Sequence, residues 1–99
     1  MKTYTKKFNQ LSVDEIYGIL KLRSEVFVVE QNCVYQDLDG KDELAIHLFY
    51  KKGNEIIAYT RIFEKGLYYK ENPSIGRVVV RKNERGKDHG KSIMKEAVL

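Results

Sequence analysis

The chain has 99 residues, a formal net charge of +4 and a sequence pI of about 9.1. With 42% hydrophobic residues, seven Tyr and four Phe, it carries the apolar content of one small folding unit, far from the profile of a disordered chain. No apolar run approaches the ~20 residues of a membrane span, the polar start from Met1 to Gln10 lacks a signal peptide's apolar segment, and the single Cys33 excludes an internal disulfide. The expectation is a cytoplasmic protein of one domain, residues 1–99, in which Cys33 is a small hydrophobe rather than a nucleophile.

In chain order, Lys2 to Phe8 sets Tyr4 and Phe8 among polar residues and predicts a short first strand. Ser12 and Glu15 then have the spacing of a capping box, with Leu11 and Ile16 placed for a hydrophobic staple, so a helix starts here. Ile16, Ile19, Leu20, Val26 and Phe27, with Leu22 beside them, supply a buried stripe that carries the helix to about Val29. Gln31 to Glu43 reads as a polar loop. Its Asp37-Leu38-Asp39-Gly40 string invites a calcium reading, but an EF-hand loop needs its glycine sixth and a bidentate Glu twelfth. Here glycine is fourth, and Ile46, Leu48 and Phe49 begin a strand. A solvated acidic loop with no metal is expected.

Ala45 to Lys51 and Glu55 to Phe63 are strand-like runs joined at Lys52-Gly53-Asn54, where glycine and asparagine tolerate positive φ. His47 lies inside the first of them and reads as a structural histidine. A break from Gly66 to Ser74, holding the only proline at Pro73, leads into Ile75 to Val80, β-branched and expected to be buried on both faces for part of its length. After a charged loop, Arg81–Arg85, a helix starts near Gly86–Gly90 with Ile93, Met94, Ala97 and Val98 on its inner face. This order predicts an α/β (α+β) domain on a mainly antiparallel sheet.

The chemically informative segment runs from Val78-Val79-Val80 through Arg85-Gly86-Lys87-Asp88-His89-Gly90-Lys91. It is an apolar strand, a charged turn, and a glycine-punctuated helix start flanked by cations. The first N–H groups of a helix lack internal partners and, with the macrodipole, make an anion site. Glycine lets a phosphate approach the backbone. A diphosphate suits such a site. A P-loop does not fit, because three residues separate Gly86 from Gly90 where that motif has four.

The segment resembles motif A of the Gcn5-related N-acetyltransferases, (Arg/Gln)-x-x-Gly-x-(Gly/Ala) opening a helix, with Arg85 first and Gly90 last; Asp88 replaces the middle glycine. Upstream, Leu22-Arg23-Ser24-Glu25-Val26-Phe27-Val28-Val29-Glu30-Gln31 and the Asp37-x-Asp39-Gly40 loop resemble the signature of the family's ElaA-like branch. The resemblance implies a mixed, mainly antiparallel sheet with flanking helices. It also implies that the family continues with further strands and a helix, so this chain reads as a partial acetyl-CoA-binding domain lacking them.

It further implies acetyl-CoA as cosubstrate, with pantetheine and the acetyl carbonyl along Val78, Val79 and Val80 and the diphosphate over Arg85, Gly86, Lys87, Asp88, His89, Gly90 and Lys91. The reaction is direct attack of a primary amine on the thioester, with a backbone N–H of the Val78–Val80 strand stabilising the oxyanion. No acid or base is placed, because the tyrosine that often protonates the thiolate lies on a later helix in this family. Glu30 is a candidate for acceptor contact, against the plainer role of pairing with a nearby Lys or Arg. Asp37, Asp39 and Asp42 are weighed for attracting a cationic amine, and His89 is expected to be solvated. The partners implied are acetyl-CoA and an amine, neither nucleic acid nor membrane, with a second copy completing the fold if the chain self-associates. Two other readings stand beside this one. The first is a non-catalytic coenzyme A-binding remnant. The second is a small basic nucleic-acid module using Arg77, Arg81, Lys82, Arg85, Lys87, Lys91 and Lys95, with Tyr68 and Tyr69 stacking on bases.

Overall fold

In a computed structural model, the described residues are 2–31, 37–64 and 74–98. Cys33, Tyr68, Tyr69, Pro73 and most of the predicted break from Gly66 to Ser74 lie outside them. Four strands, β1 (Lys2–Lys7), β2 (Ile46–Lys52), β3 (Glu55–Phe63) and β4 (Ser74–Val80), form one sheet in the order β1-β2-β3-β4. Every pairing is antiparallel. Phe8 leaves the first strand for a single 3₁₀ turn, Phe8–Gln10. The hairpin between β2 and β3 turns at Gly53, whose φ of 65° is the left-handed value its sequence predicts.

The first helix, α1 (Val13–Arg23), starts on the predicted capping box: Glu15 N–H donates to Ser12 Oγ (3.1 Å) and Ser12 N–H to Glu15 Oε1 (2.9 Å). It then runs without a break into a π-helical stretch, Ser24–Glu30. The helical span therefore ends close to the expected Val29, but its last turns are wider than the 3.6-residue pattern implies. The second helix, α2 (His89–Ala97), follows a 3₁₀ turn at Lys82–Glu84. No helix among the described residues is long and apolar enough to cross a membrane.

The sheet is sandwiched. On one face α1 and the π-helical stretch bring Ile19, Leu22 and Val26 against Phe49, Ile56, Tyr59 and Val79. On the other, Ile93 of α2 packs with Leu48, Tyr50, Ile57 and Ala58, and Val78, Val80 and Ala97 close around them. Alternate residues of β3 and β4 thus serve opposite layers, which is why both strands read as near-continuous apolar runs. Met94 and Val98, expected inside with Ile93, are 40% and 69% exposed. The apolar stripe of α2 is narrower than its composition suggests.

The acidic loop departs from expectation. Asp37 is buried and Asp42 nearly so, because three arginines converge on them from separate elements. Arg23, fully buried, donates from Nη1 to Asp42 Oδ1 (2.7 Å) and from Nη2 to the Asp37 carbonyl (3.1 Å). Its Nε lies 3.0 Å from Asp37 Oδ2, too bent for a hydrogen bond. Arg61 grips Asp39 through both terminal nitrogens (2.9 and 2.6 Å) and reaches Asp42 (3.1 Å). Arg77 binds Asp37 Oδ1 through Nε (2.8 Å). The Arg61 fork holds Asp39 well below the usual carboxylate range. Asp37, Asp39 and Asp42 therefore form an electrostatic staple around the buried Asp37, and these three carboxylates are already committed to guanidinium groups.

Candidate functional site

The glycine loop lines an open cleft of about 640 Å³. One wall is the π-helical stretch, through Val26, Phe27 and Glu30, with Gln31 after it. The other is Val78, Val79 and Val80 of β4, and the floor at one end is Arg85, Gly86, Asp88, His89, Gly90 and Lys91. The fold therefore gathers Glu30 and all but one of the predicted loop and strand residues. Lys87 is the exception: its Nζ turns to Glu84 Oε1 (3.3 Å).

Local conformation explains the shape of the loop. Gly86 has φ +87°, a value that L side chains rarely adopt. Asp88, at the position where motif A carries its middle glycine, has φ 61° and ψ 20° and is the N-cap of α2. That left-handed geometry is the physical reason for glycine there, and Asp is among the few other residues that tolerate it. A Cβ on Gly90 would meet Val80 Cγ2 at 3.5 Å, an ordinary contact that shows how near α2 starts to the end of β4. Because the first intrahelical bond of α2 is Ser92 N–H to Asp88 O (2.9 Å), the N–H groups of His89, Gly90 and Lys91 precede any intrahelical acceptor.

Charge in the site is less free than the composition suggests. Arg85 donates from Nε to the Val80 carbonyl (3.1 Å), from Nη2 to Glu30 Oε2 (2.7 Å), and from Nη1 to Glu30 Oε1. The hydrogen bonds and charge of Arg85 keep Glu30 below its ordinary pKa. Glu84 collects Lys52 and Lys87 (3.3 Å each) and approaches His89 Nε2 (3.6 Å). Burial alone would raise the Glu84 pKa, but these lysines hold it below its usual value. His89 is half-buried and packs edge-on against Tyr50, so it is not the solvated side chain expected of it. Tyr50 in turn bonds Ser92 through its hydroxyl (2.9 Å), which fastens the start of α2 to the sheet. Among the described residues Lys91 alone of the three predicted loop cations makes no ion pair. Of the wider basic cluster, Arg77, Arg81, Arg85 and Lys87 are all matched with acids.

Sequence reasoning missed the distortion in the strand wall. Tyr59 pairs with Val79 and Arg61 with Gly76, so Arg77 and Val78 together face Thr60 in a β-bulge. Arg77 adopts φ 51°, and Thr60 Oγ1 donates to the Gly76 carbonyl (2.8 Å) beside it. An arginine inside a valine strand carries no local signal for such a bulge. His47, by contrast, is the satisfied histidine expected. Its Nε2 must donate to the Asp42 carbonyl (2.9 Å), so in the neutral ring Nδ1 accepts from the Tyr59 hydroxyl (2.6 Å). Among the described residues no group of three or more His, Cys, Asp or Glu is arranged to hold a metal ion.

A four-stranded antiparallel sheet with a helix on each face, and a glycine-punctuated loop leading into the second helix, define a fold of the Gcn5-related acetyltransferase type. Solved structures share this fold: an acyl-CoA N-acyltransferase from Pseudomonas aeruginosa superposes with a TM-score of 0.93 at 35% identity, over 98% of this chain and 67% of its own. Escherichia coli ElaA superposes at 0.90 with 38% identity, over 98% and 66%. In sequence, the ElaA protein of Escherichia coli is 42% identical over 92 residues, which is 91% of this chain and 60% of that protein. A UPF0039 protein of Synechocystis is 41% identical over 90 residues, 90% of this chain and 58% of the relative. No model of a known protein family matches the chain. The chain belongs to the Gcn5-related N-acetyltransferase superfamily, in its ElaA-like branch, and spans about three fifths of the length of the curated relatives it matches.

Proposed function

We propose that the cleft binds acetyl-CoA and that the protein is an N-acetyltransferase acting on a primary amine. The observation that carries this reading is the meeting of Val78–Val80 with the unpartnered N–H groups of His89, Gly90 and Lys91 in one open cleft. An extended pantetheine arm suits the strand wall, and a diphosphate suits the helix start. A volume of about 640 Å³ is in the range of small-molecule and cofactor sites. In the reaction the neutral amine nitrogen attacks the thioester carbonyl carbon, the new C–N bond forms, the C–S bond breaks, and the amine proton is lost as the thiolate leaves. The chain's part is to hold the thioester against β4, where the bulge at Arg77–Val78 re-aims backbone groups at the carbonyl oxygen.

Calorimetric titration of acetyl-CoA tests the reading. Micromolar binding is expected, and Gly90→Glu should abolish it by placing a carboxylate at the helix start beside Val80. A folded chain that binds no acetyl-CoA refutes it. Turnover of any primary amine then separates catalysis from binding alone.

A further inference from the structure

We infer that Glu30 is a built-in counter-ion of the cofactor cleft, holding the Arg85 fork until an anionic ligand displaces it. The inference rests on the reading of this cleft as a diphosphate site. Three of the five N–H donors of Arg85 are committed: Nε–H to the Val80 carbonyl, and one N–H each of Nη1 and Nη2 to the two oxygens of Glu30. A bidentate carboxylate presents the same planar pair of acceptors that a phosphate offers this fork. Glu30 thus stands where the ligand's own oxygens belong.

The neighbouring charges make the exchange necessary. Lys87 is tied to Glu84, whose carboxylate is buried beneath Lys52, Lys87 and His89. Of the three cations predicted to hold the diphosphate, Lys91 alone makes no ion pair among the described residues, and a diphosphate carries more than one negative charge. Arg85 is a second cation lining the same cleft, and a change of partner frees the planar pair of N–H groups that Glu30 now holds. The geometry favours that change. Both members of the bridge are partly in water, at 41% and 30% exposure, so Glu30 is resolvated as it leaves. The Nε bond to Val80 remains, and it keeps the guanidinium at the mouth of the cleft for the incoming anion.

This arrangement has a consequence for selectivity. A ligand without an anionic group cannot displace a bidentate carboxylate and gains nothing from Arg85. The contact with Val80 also places Glu30 at the loop end of the strand wall, away from the thioester end where an acceptor amine must approach. Glu30 on this account screens the donor and does not touch the acceptor.

The test is calorimetric titration of two ligands, acetyl-CoA and the phosphate-free acetyl-pantetheine, into the protein and its Glu30→Gln and Glu30→Ala variants, each confirmed folded by circular dichroism. Removing the competing charge should tighten acetyl-CoA binding about three- to tenfold, the scale of a charge-assisted pair, and leave acetyl-pantetheine unchanged. The gain should vanish when Arg85→Ala is added. Binding of acetyl-CoA by the unaltered protein with no gain, or a loss, in both variants overturns the role of Glu30 alone. Failure of the unaltered protein to bind acetyl-CoA overturns the underlying reading of the cleft.

Discussion

Replacing Asp88 separates backbone strain from charge at the loop. Asp88 sits at φ 61° and ψ 20°, a region costing most L-residues roughly 1–2 kcal/mol and Asp somewhat less. Asp88→Gly removes that cost, but glycine's extra freedom in the unfolded chain takes back about 0.5–1 kcal/mol. It also deletes a carboxylate from the start of α2, which there contributes about 0.3–1 kcal/mol. These terms nearly cancel, so Asp88→Gly should change stability by no more than about 1 kcal/mol, or ~4–8 °C in Tm. The effect on the ligand should not cancel. A unit negative charge within one screening length, about 8 Å, of a doubly charged diphosphate, at an effective dielectric constant of about 40, opposes binding by about 1 kcal/mol. Asp88→Asn keeps the tolerance for the left-handed backbone and removes only the charge, so both variants should bind acetyl-CoA about fivefold more tightly. Thermal melts and calorimetric titration at fixed ionic strength measure the two quantities. Unchanged affinity in Asp88→Asn would refute the placement of that carboxylate beside the diphosphate.

The buried staple gives a harsher outcome. Arg23→Met leaves Asp37 with Arg77 and Asp42 with Arg61 and should cost up to about 3–5 kcal/mol in urea unfolding, whereas an exposed pair such as Arg81–Glu55 should cost under about 1 kcal/mol. Glu15, whose burial is outweighed by bonds from Ser12, Lys6 and Lys51, has its pKa lowered from 4.5 to about 2. Its folded-state pKa is depressed, so its stabilising contribution is complete above pH 4.5 and is lost as pH falls toward 2, at most about 3 kcal/mol; Glu15→Gln should flatten acid unfolding in that window. Burial pushes the His47 pKa below 6.5. The unfolded chain then takes up a proton first, stability falls as pH drops below 6.5, and a His47→Gln variant should lose that slope in melts followed from pH 7.5 to 5.5.

What was legible in the sequence was what is local. Ser12 and Glu15 are three residues apart, and their reciprocal bonds form within one turn whatever the rest of the chain does. Gly53 and the glycine loop announce themselves in the same way. The staple is different: Arg23 finds Asp42 nineteen residues on, and Arg77 finds Asp37 forty residues back. No pattern in the intervening residues records such a meeting. Arg61 lies on a strand next to Thr60 and Ile62, where an arginine reads as a solvent-facing position, yet it is 2% exposed. Similarly, the run Val26-Phe27-Val28-Val29 fits a helix by apolarity, but periodicity alone does not reveal the π-helical widening. Glu30 does take the plainer role of pairing with a Lys or Arg; that the partner is Arg85, 55 positions away, was not legible.

Both walls of the cleft are tied at each end, by bonds of opposite character. At the inner end, Arg23 immediately precedes the π-helical stretch and Arg77 immediately precedes Val78, and both guanidinium groups converge on the single carboxylate of Asp37 (3.0 and 2.8 Å). That tie is buried, and breaking it leaves unpaired charge in a low-dielectric setting, so it behaves as a permanent hinge pin. It also holds Arg77 in the left-handed backbone that the bulge requires, at a strain of about 1–3 kcal/mol that nothing local relieves. At the outer end the walls are joined by Glu30, the last residue of the π-helical stretch, and Arg85, just beyond β4. Here water is at hand, and either partner can be exchanged for another ion. A cleft fixed at one end by a buried tie and joined at the other by an exchangeable pair keeps the spacing of its strand wall while leaving its outer mouth responsive to charge.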